Sequence, residues 1–144
     1  YADNGDGTIR DKRTALTWEK LSNDDSIHDK DNTYSWADAF GKIDDLNTAA
    51  FAGFTDWRLP NESELETIVN RAKLFPAVSA EFSSTCPSGC TVLTCSCTLS
   101  IDEVTWSSTT YVKTPSAAWL VSSSATCRAS STTRGLKAVG PPTG

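Results

Sequence analysis

The run Asp56-Trp57-Arg58-Leu59-Pro60-Asn61-Glu62-Ser63-Glu64-Leu65 contains a chain corner followed at once by a helix start. A proline keeps its predecessor extended and presets its own φ for the first helical turn, so Arg58 and Leu59 are held at a fixed corner. Asn61 is the predicted N-cap, and Glu64, three residues on, completes a variant of the capping box. Leu65, Ile68, Val69 and Ala72 then form the predicted buried stripe of the helix. Arg58 reads as a buried structural bridge to a carboxylate or to loop carbonyls rather than as a ligand contact. Asn61-Glu62-Ser63 also matches a glycosylation sequon, with helix capping the preferred role.

Working upstream, Ser35 is placed to cap another helix, with Asp38 near its positive end. Trp36, Ala39, Phe40, Ile43, Leu46 and Ala50 recur at three- and four-residue steps, and Asp38, Lys42, Asp44 and Asp45 fall between them as the polar face. The stretch from Ser22 to Asn32 reads as a polar, acidic surface loop. At the start, Asp3 to Asp11 and Leu16 to Glu19 read as two strands around a turn at Asp11 to Ala15. Asn4-Gly5-Asp6-Gly7 invites a calcium-loop reading. With Gly7 as the sixth residue, however, positions one and twelve become Ala2 and Arg13, so both required carboxylates are missing and turn chemistry is the better account.

Working downstream, the composition after Pro76 shifts to Ser, Thr and Cys. Val104 to Tyr111, Ala117 to Ser122 and Leu136 to Val139 read as strands. Gly140 to Gly144 is a Pro/Gly tail. Four of the five cysteines, Cys86, Cys90, Cys95 and Cys97, crowd into this region, and the fifth is Cys127. Disulfides or a metal could explain the crowd. Cys95 and Cys97 are too close in sequence for paired zinc-knuckle spacing, so disulfides are preferred, and with them an oxidising compartment. A bridge between Cys95 and Cys97 would close a very tight ring, so the two are expected to reach different partners, with Cys127 a natural long-range one.

With 144 residues, 38% apolar and 22% charged, the chain is one soluble domain able to hold a core. A net charge of −5 argues against nucleic acid, whose binding depends on Lys and Arg neutralising phosphates. The scattered cations Arg10, Lys12, Arg13, Arg128, Arg134 and Lys137 read as a solvated face. The longest uncharged run, Phe82 to Ser100, is too polar to enter a bilayer, so no direct membrane insertion is expected. The chain opens at Tyr1 and has no methionine, which suggests a processed product or a piece of a longer protein.

The blocks Asn4 to Asp11, Leu16-Thr17-Trp18-Glu19, Asp56 to Pro60 with Glu64-Leu65, and Trp106 to Tyr111 with Ala118-Trp119 occur in this order. Together they resemble the Lcl C-terminal domain family, named for the globular end of a bacterial collagen-like adhesin. The resemblance covers nearly the whole chain, giving a single domain over 1–144 with a Ser/Thr/Cys-rich insert at about 79–103. It implies a distant likeness to C-type lectin-like folds and to formylglycine-generating enzymes. The implied fold is α+β: two helices packed on a twisted, mostly antiparallel sheet, disulfide-stabilised, with long irregular loops that carry the binding variation. Trp57, Arg58, Leu59, Pro60, Glu64, Trp106 and Trp119 are its structural motif here. Two departures stand out. Family members usually have glycine where Ala15 stands, and an Arg-rich closing strand where this chain has Leu136-Lys137-Ala138-Val139-Gly140. The second departure removes basic charge, so a sulfated-glycan ligand is not carried over.

Catalysis needs a nucleophile beside a base, paired carboxylates in a cleft, or a metal with an open position. The only histidine, His28, sits among Asp24, Asp25, Asp29 and Asp31, read as a solvated loop with a calcium site the lesser alternative. No catalytic or metal residues and no cofactor are therefore expected. Cys95 and Cys97 could correspond to the cysteine pair of formylglycine-generating enzymes, but their spacing points to a disulfide framework. The expected function is a non-catalytic recognition or adhesion module, extracellular or at the cell surface, binding a glycan or a surface protein through loops between Ser79 and Ser130. The alternative is a structural subunit of a filament or other assembly, contacting copies of itself or another subunit. Its Ser/Thr stretches could carry O-glycans in either case.

Overall fold

The computed structural model describes residues 1–73, 76–97, 104–122, 127–130, 132–134 and 139–140; at 104, 114–117, 122 and from 127 onward the description is of the backbone. In chain order the elements are β1 (Ala2–Asp3), β2 (Thr8–Arg10), β3 (Thr17–Glu19), β4 (Thr33–Ser35), α1 (Trp36–Thr48), α2 (Glu62–Ile68), β5 (Val104–Tyr111), β6 (Thr114–Ser122), β7 (Cys127–Ser130), β8 (Thr132–Arg134) and β9 (Val139–Gly140). Among the described residues the strands form three antiparallel sheets in the orders β1-β2-β3-β9, β4-β8 and β5-β6-β7. The expected α+β class holds, with the strands divided among several sheets.

Local chemistry closes both N-terminal turns. Between β1 and β2, the Asp3 carboxylate accepts from the Gly5 N–H at 2.9 Å and that of Asp6 from the Thr8 N–H at 3.0 Å. Gly7 has a φ of +93°, and a Cβ there would sit 2.9 Å from Val92 and 3.0 Å from Phe51, so only glycine lets insert and body close over the turn. Between β2 and β3, the Asp11 carboxylate accepts from the Arg13 N–H at 2.8 Å and the Thr14 hydroxyl at 2.7 Å. Ala15 ends this turn at a φ of +61°, the left-handed region that costs an L-residue about 1–2 kcal/mol. A glycine at this position would remove that cost.

Ser35 caps α1 by accepting the Asp38 N–H at 3.1 Å. The buried face of α1 is Ala39, Lys42, Ile43 and Leu46. This corrects the periodic reading at three places: Phe40 is 43% exposed, Lys42, assigned to the polar face, is 3% exposed, and Ala50 lies exposed beyond the end of the helix at a φ of +45°. In α2 the full capping box forms, with Asn61 accepting from the Glu64 N–H and Glu64 from the Asn61 N–H, each at 2.8 Å. Leu65 and Ile68 are buried, but the helix stops there. Val69 leaves it to bridge Val78, and the Asn70 N–H donates to the Ala77 carbonyl at 2.7 Å, so Ala72 lies exposed in a loop instead of on the stripe.

The β5–β6 ladder separates two cores. Ala118 and Leu120 of β6 join Trp106 of β5 in packing against Ala39, Ile43, Leu46, Trp57 and Leu59. Val121 turns the other way, joining Ile9, Leu16, Trp18, Leu65, Ile68, Val78 and Phe82. This is the two-residue alternation of a strand covered on both faces. Trp18, Trp57 and Trp106 are buried, whereas Trp36 and Trp119 are half-buried, the latter edge-on to Tyr111 at 5.3 Å.

The insert is pinned to the body by backbone hydrogen bonds from the Cys97 N–H to the Leu21 carbonyl and from the Asn23 N–H to the Cys90 carbonyl, and two disulfides close it on itself. Cys86 bonds to Cys97 and Cys90 to Cys95. Cys90, Cys95 and Cys97 are buried and pack with Leu21 in a third small core. Cys95 and Cys97 do take different partners, but neither is Cys127: all four crowded cysteines pair among themselves. The backbone of Cys127 lies in β7, and its side chain is outside the described residues. The loop from Ser22 to Asn32 is not simply a surface loop. Ser22 and Asp29 are buried, and the Asp29 carboxylate accepts from the Asp25 and Asp31 N–H groups. Strands β4, β7 and β8 were not anticipated, and Leu136, Lys137, Ala138 and the tail beyond Gly140 lie outside the described residues.

Candidate functional site

Three arrangements of polar groups stand out. The first is the corner after Trp57. Arg58 makes a bidentate pair with Glu64 at 2.8 and 2.6 Å and reaches the Leu59 carbonyl at 3.3 Å. The partners are those expected, a carboxylate and a loop carbonyl, but the Arg58 side chain is 48% exposed rather than buried. The hydrogen bonds from Arg58 hold the Glu64 carboxyl below its ordinary range, and Glu64 in turn raises the Arg58 guanidinium. Trp57 donates its indole N–H to the Phe51 carbonyl and its backbone N–H to Asn47, while the Pro60 carbonyl accepts from the Ser108 N–H. These residues fix the corner and the start of α2.

The second arrangement is a buried ionic hub that the sequence reading missed. Glu19 on β3 is fully buried, and it accepts from Lys42 of α1 at 2.8 Å and pairs with His28 Nδ1 at 2.7 Å. Burial alone would raise the Glu19 pKa, but Lys42 and His28 outweigh it and hold the carboxyl below its usual value. The Lys42 ammonium also lies 6.0 Å from the centre of the Tyr34 ring, and His28 packs on Phe51 at 4.4 Å. The hub uses the only histidine to join strand, loop and helix. The missing signal is positional: β3 is covered on both faces, so Trp18 and Glu19, adjacent in sequence, are both buried on opposite sides.

The third arrangement is a cleft of about 570 Å³ between the β2–β3 turn and the segment leaving α2. It is lined by Lys12, Arg13 and Arg71 together with Tyr1, Asp11, Ile68 and Val69. Lys12 and Arg13 are exposed on the turn that the Asp11 carboxylate closes. Two hydrogen bonds to backbone and hydroxyl outweigh its burial and keep Asp11 ionised below the ordinary range. The Tyr1 hydroxyl donates to the Thr67 carbonyl at 2.6 Å, and burial, with the Asp11 charge second, raises its pKa. Arg71 is 72% exposed, with Glu66 at 3.5 Å. Two cations read from the sequence as part of a scattered solvated face thus meet a third at one concave surface. The cleft lies outside the segment between Ser79 and Ser130 expected to bind, apart from Ser79 itself.

Fold and sulfur chemistry define a disulfide-bonded α+β domain of the kind carried by proteins outside the reducing cytosol. The chain belongs to the Lcl C-terminal domain family, whose model matches residues 7–139, and this fits an extracellular domain of a bacterial surface protein. It is not a known enzyme family. No curated protein and no solved structure matches the chain. Among the described residues, no helix is long and apolar enough to cross a membrane.

Proposed function

We propose that the domain is a non-catalytic recognition module of a surface protein, and that the Tyr1–Arg71 cleft takes an acid-bearing group of a glycan or protein ligand. The observation carrying this reading is the convergence of Lys12, Arg13 and Arg71 on one concave wall of an otherwise acidic chain. Arginine forks match carboxylate and similar planar anions with paired hydrogen bonds, and Tyr1 offers an aromatic face beside them. The absence of catalysis in this reading is supported by where the chemistry is spent: His28 is engaged by Glu19, and the Asp11 oxygens by their own turn. Two helices against antiparallel strands with long loops support the C-type lectin-like kinship implied by the family resemblance.

The test is binding of the folded domain to an array of acidic and neutral glycans and to extracellular proteins, beside the Arg13→Ala/Arg71→Ala variant. The variant is expected to keep the wild-type circular dichroism and to weaken binding about 10- to 100-fold, the loss of one or two charge-assisted hydrogen bonds. Unchanged binding would remove the cleft from the account. A regular oligomer forming without ligand would favour the structural-subunit alternative.

A further inference from the structure

We propose that the four sulfurs of the insert form a redox-gated soft-metal site, in which Cys86, Cys90 and Cys97, with Cys95 as fourth ligand, hold one Zn(II) once both disulfides are reduced. The Sγ atoms of Cys86, Cys90 and Cys97 all lie within 4.8 Å of one another. Between the two disulfides, Cys90 Sγ is 3.8 Å from Cys97 Sγ, and Cys95 Sγ is 3.7 Å from it. A tetrahedral zinc with Zn–S bonds of about 2.3 Å sets its ligand sulfurs about 3.8 Å apart, so two edges of that tetrahedron already exist. Cys86-Pro87-Ser88-Gly89-Cys90 has a ligand spacing that zinc turns use, with Gly89 at a φ of +79°. Cys95 and Cys97 lack that spacing, but the fold converges their sulfurs regardless.

The backbone carries these sulfurs independently of the S–S bonds. The Cys97 N–H donates to the Leu21 carbonyl at 2.8 Å, the Asn23 N–H to the Cys90 carbonyl at 2.9 Å, and the Gly89 N–H to the Asn23 carbonyl at 2.6 Å. Cys90, Cys95 and Cys97 are buried beside Leu21, where metal–thiolate bonds replace lost hydration. In the gating step, each disulfide takes two electrons and two protons from one dithiol, which leaves as its own disulfide. Two such steps convert Cys86–Cys97 and Cys90–Cys95 into four thiols. Zn(II) then displaces the four thiol protons to water with no change in its oxidation state; exchange with two incoming disulfides, each leaving as its dithiol, re-forms both S–S bonds and expels the metal.

The test reduces the 144-residue chain with a phosphine and titrates it with Cd(II), reading the ultraviolet thiolate-to-cadmium band together with the near-ultraviolet circular dichroism of the tryptophans. One cadmium per chain is expected, displaced by excess Zn(II), with the tryptophan signal of the oxidised chain retained. Cys90→Ser and Cys97→Ser should lose that stoichiometric uptake, and Cys127→Ser should keep it. The proposal is overturned by absence of the band, by uptake that survives Cys90→Ser and Cys97→Ser or depends on Cys127, or by uptake only in a chain that has lost its tryptophan signal.

Discussion

Lys42→Met is expected to destabilise the domain by about 3–5 kcal/mol at neutral pH, because it leaves the fully buried Glu19 carboxylate without its main counter-charge. The methionine fills similar space, so the loss reports charge more than packing. Glu19 has a folded pKa below its unfolded one, so its contribution is complete above the unfolded value and is lost as pH falls through the depressed folded value. In the variant, burial acts with only His28 opposing it, the Glu19 pKa rises, and the carboxyl protonates earlier. The gap between wild type and variant should therefore narrow in acid. Urea unfolding at neutral and acidic pH measures it, and an equal gap at both would contradict the hub. Glu19→Gln/Lys42→Met should recover much of the loss, since removing both charges of a buried pair is far less costly than removing one.

The second large effect falls on Trp106, which is fully buried between α1 and the corner residues Trp57 and Leu59. Trp106→Ala is expected to cost about 3–5 kcal/mol through lost transfer energy and the cavity left behind. Its indole N–H also donates to the Tyr34 carbonyl at 3.0 Å, tying β5 to β4 across the fold. Trp106→Phe keeps most of the packing and strands that carbonyl, so a loss of about 1–3 kcal/mol separates the hydrogen bond from the cavity. Thermal or urea unfolding of both variants checks this; an alanine variant within about 0.5 kcal/mol of wild type would mean that the described core does not hold β5.

Much of this architecture was legible from residues whose information is local. Ser35 and Asn61 marked the two helix starts because capping is decided within one turn of chain, and the β-branched and aromatic residues of Val104 to Tyr111 marked β5 in full. What escaped notice depended on distant partners. Lys42 lies three residues after Ala39 and four before Leu46, on the buried stripe; its charge assigned it to the polar face, and only the approach of Glu19 on β3 makes it a buried partner. Strands β4, β7 and β8 are short and polar, and pairing with a remote strand defines them. The end of α2 at Ile68 carries no proline or glycine; the bridge to Val78 ends it. The cleft was invisible for the same reason: Arg13 and Arg71 share a wall because β3 and α2 pack on one core.

The account depends most on the two disulfides that close the Ser/Thr-rich insert on itself, since the extracellular assignment and the redox-gated site both rest on them. Tandem mass spectrometry of the native domain, alkylated and digested without reduction, tests it most directly. The expected result is Cys86 joined to Cys97 and Cys90 to Cys95, with Cys127 outside both pairs. A bridge from Cys127 to any of the four, or five free thiols in protein taken from the cell surface, would contradict it.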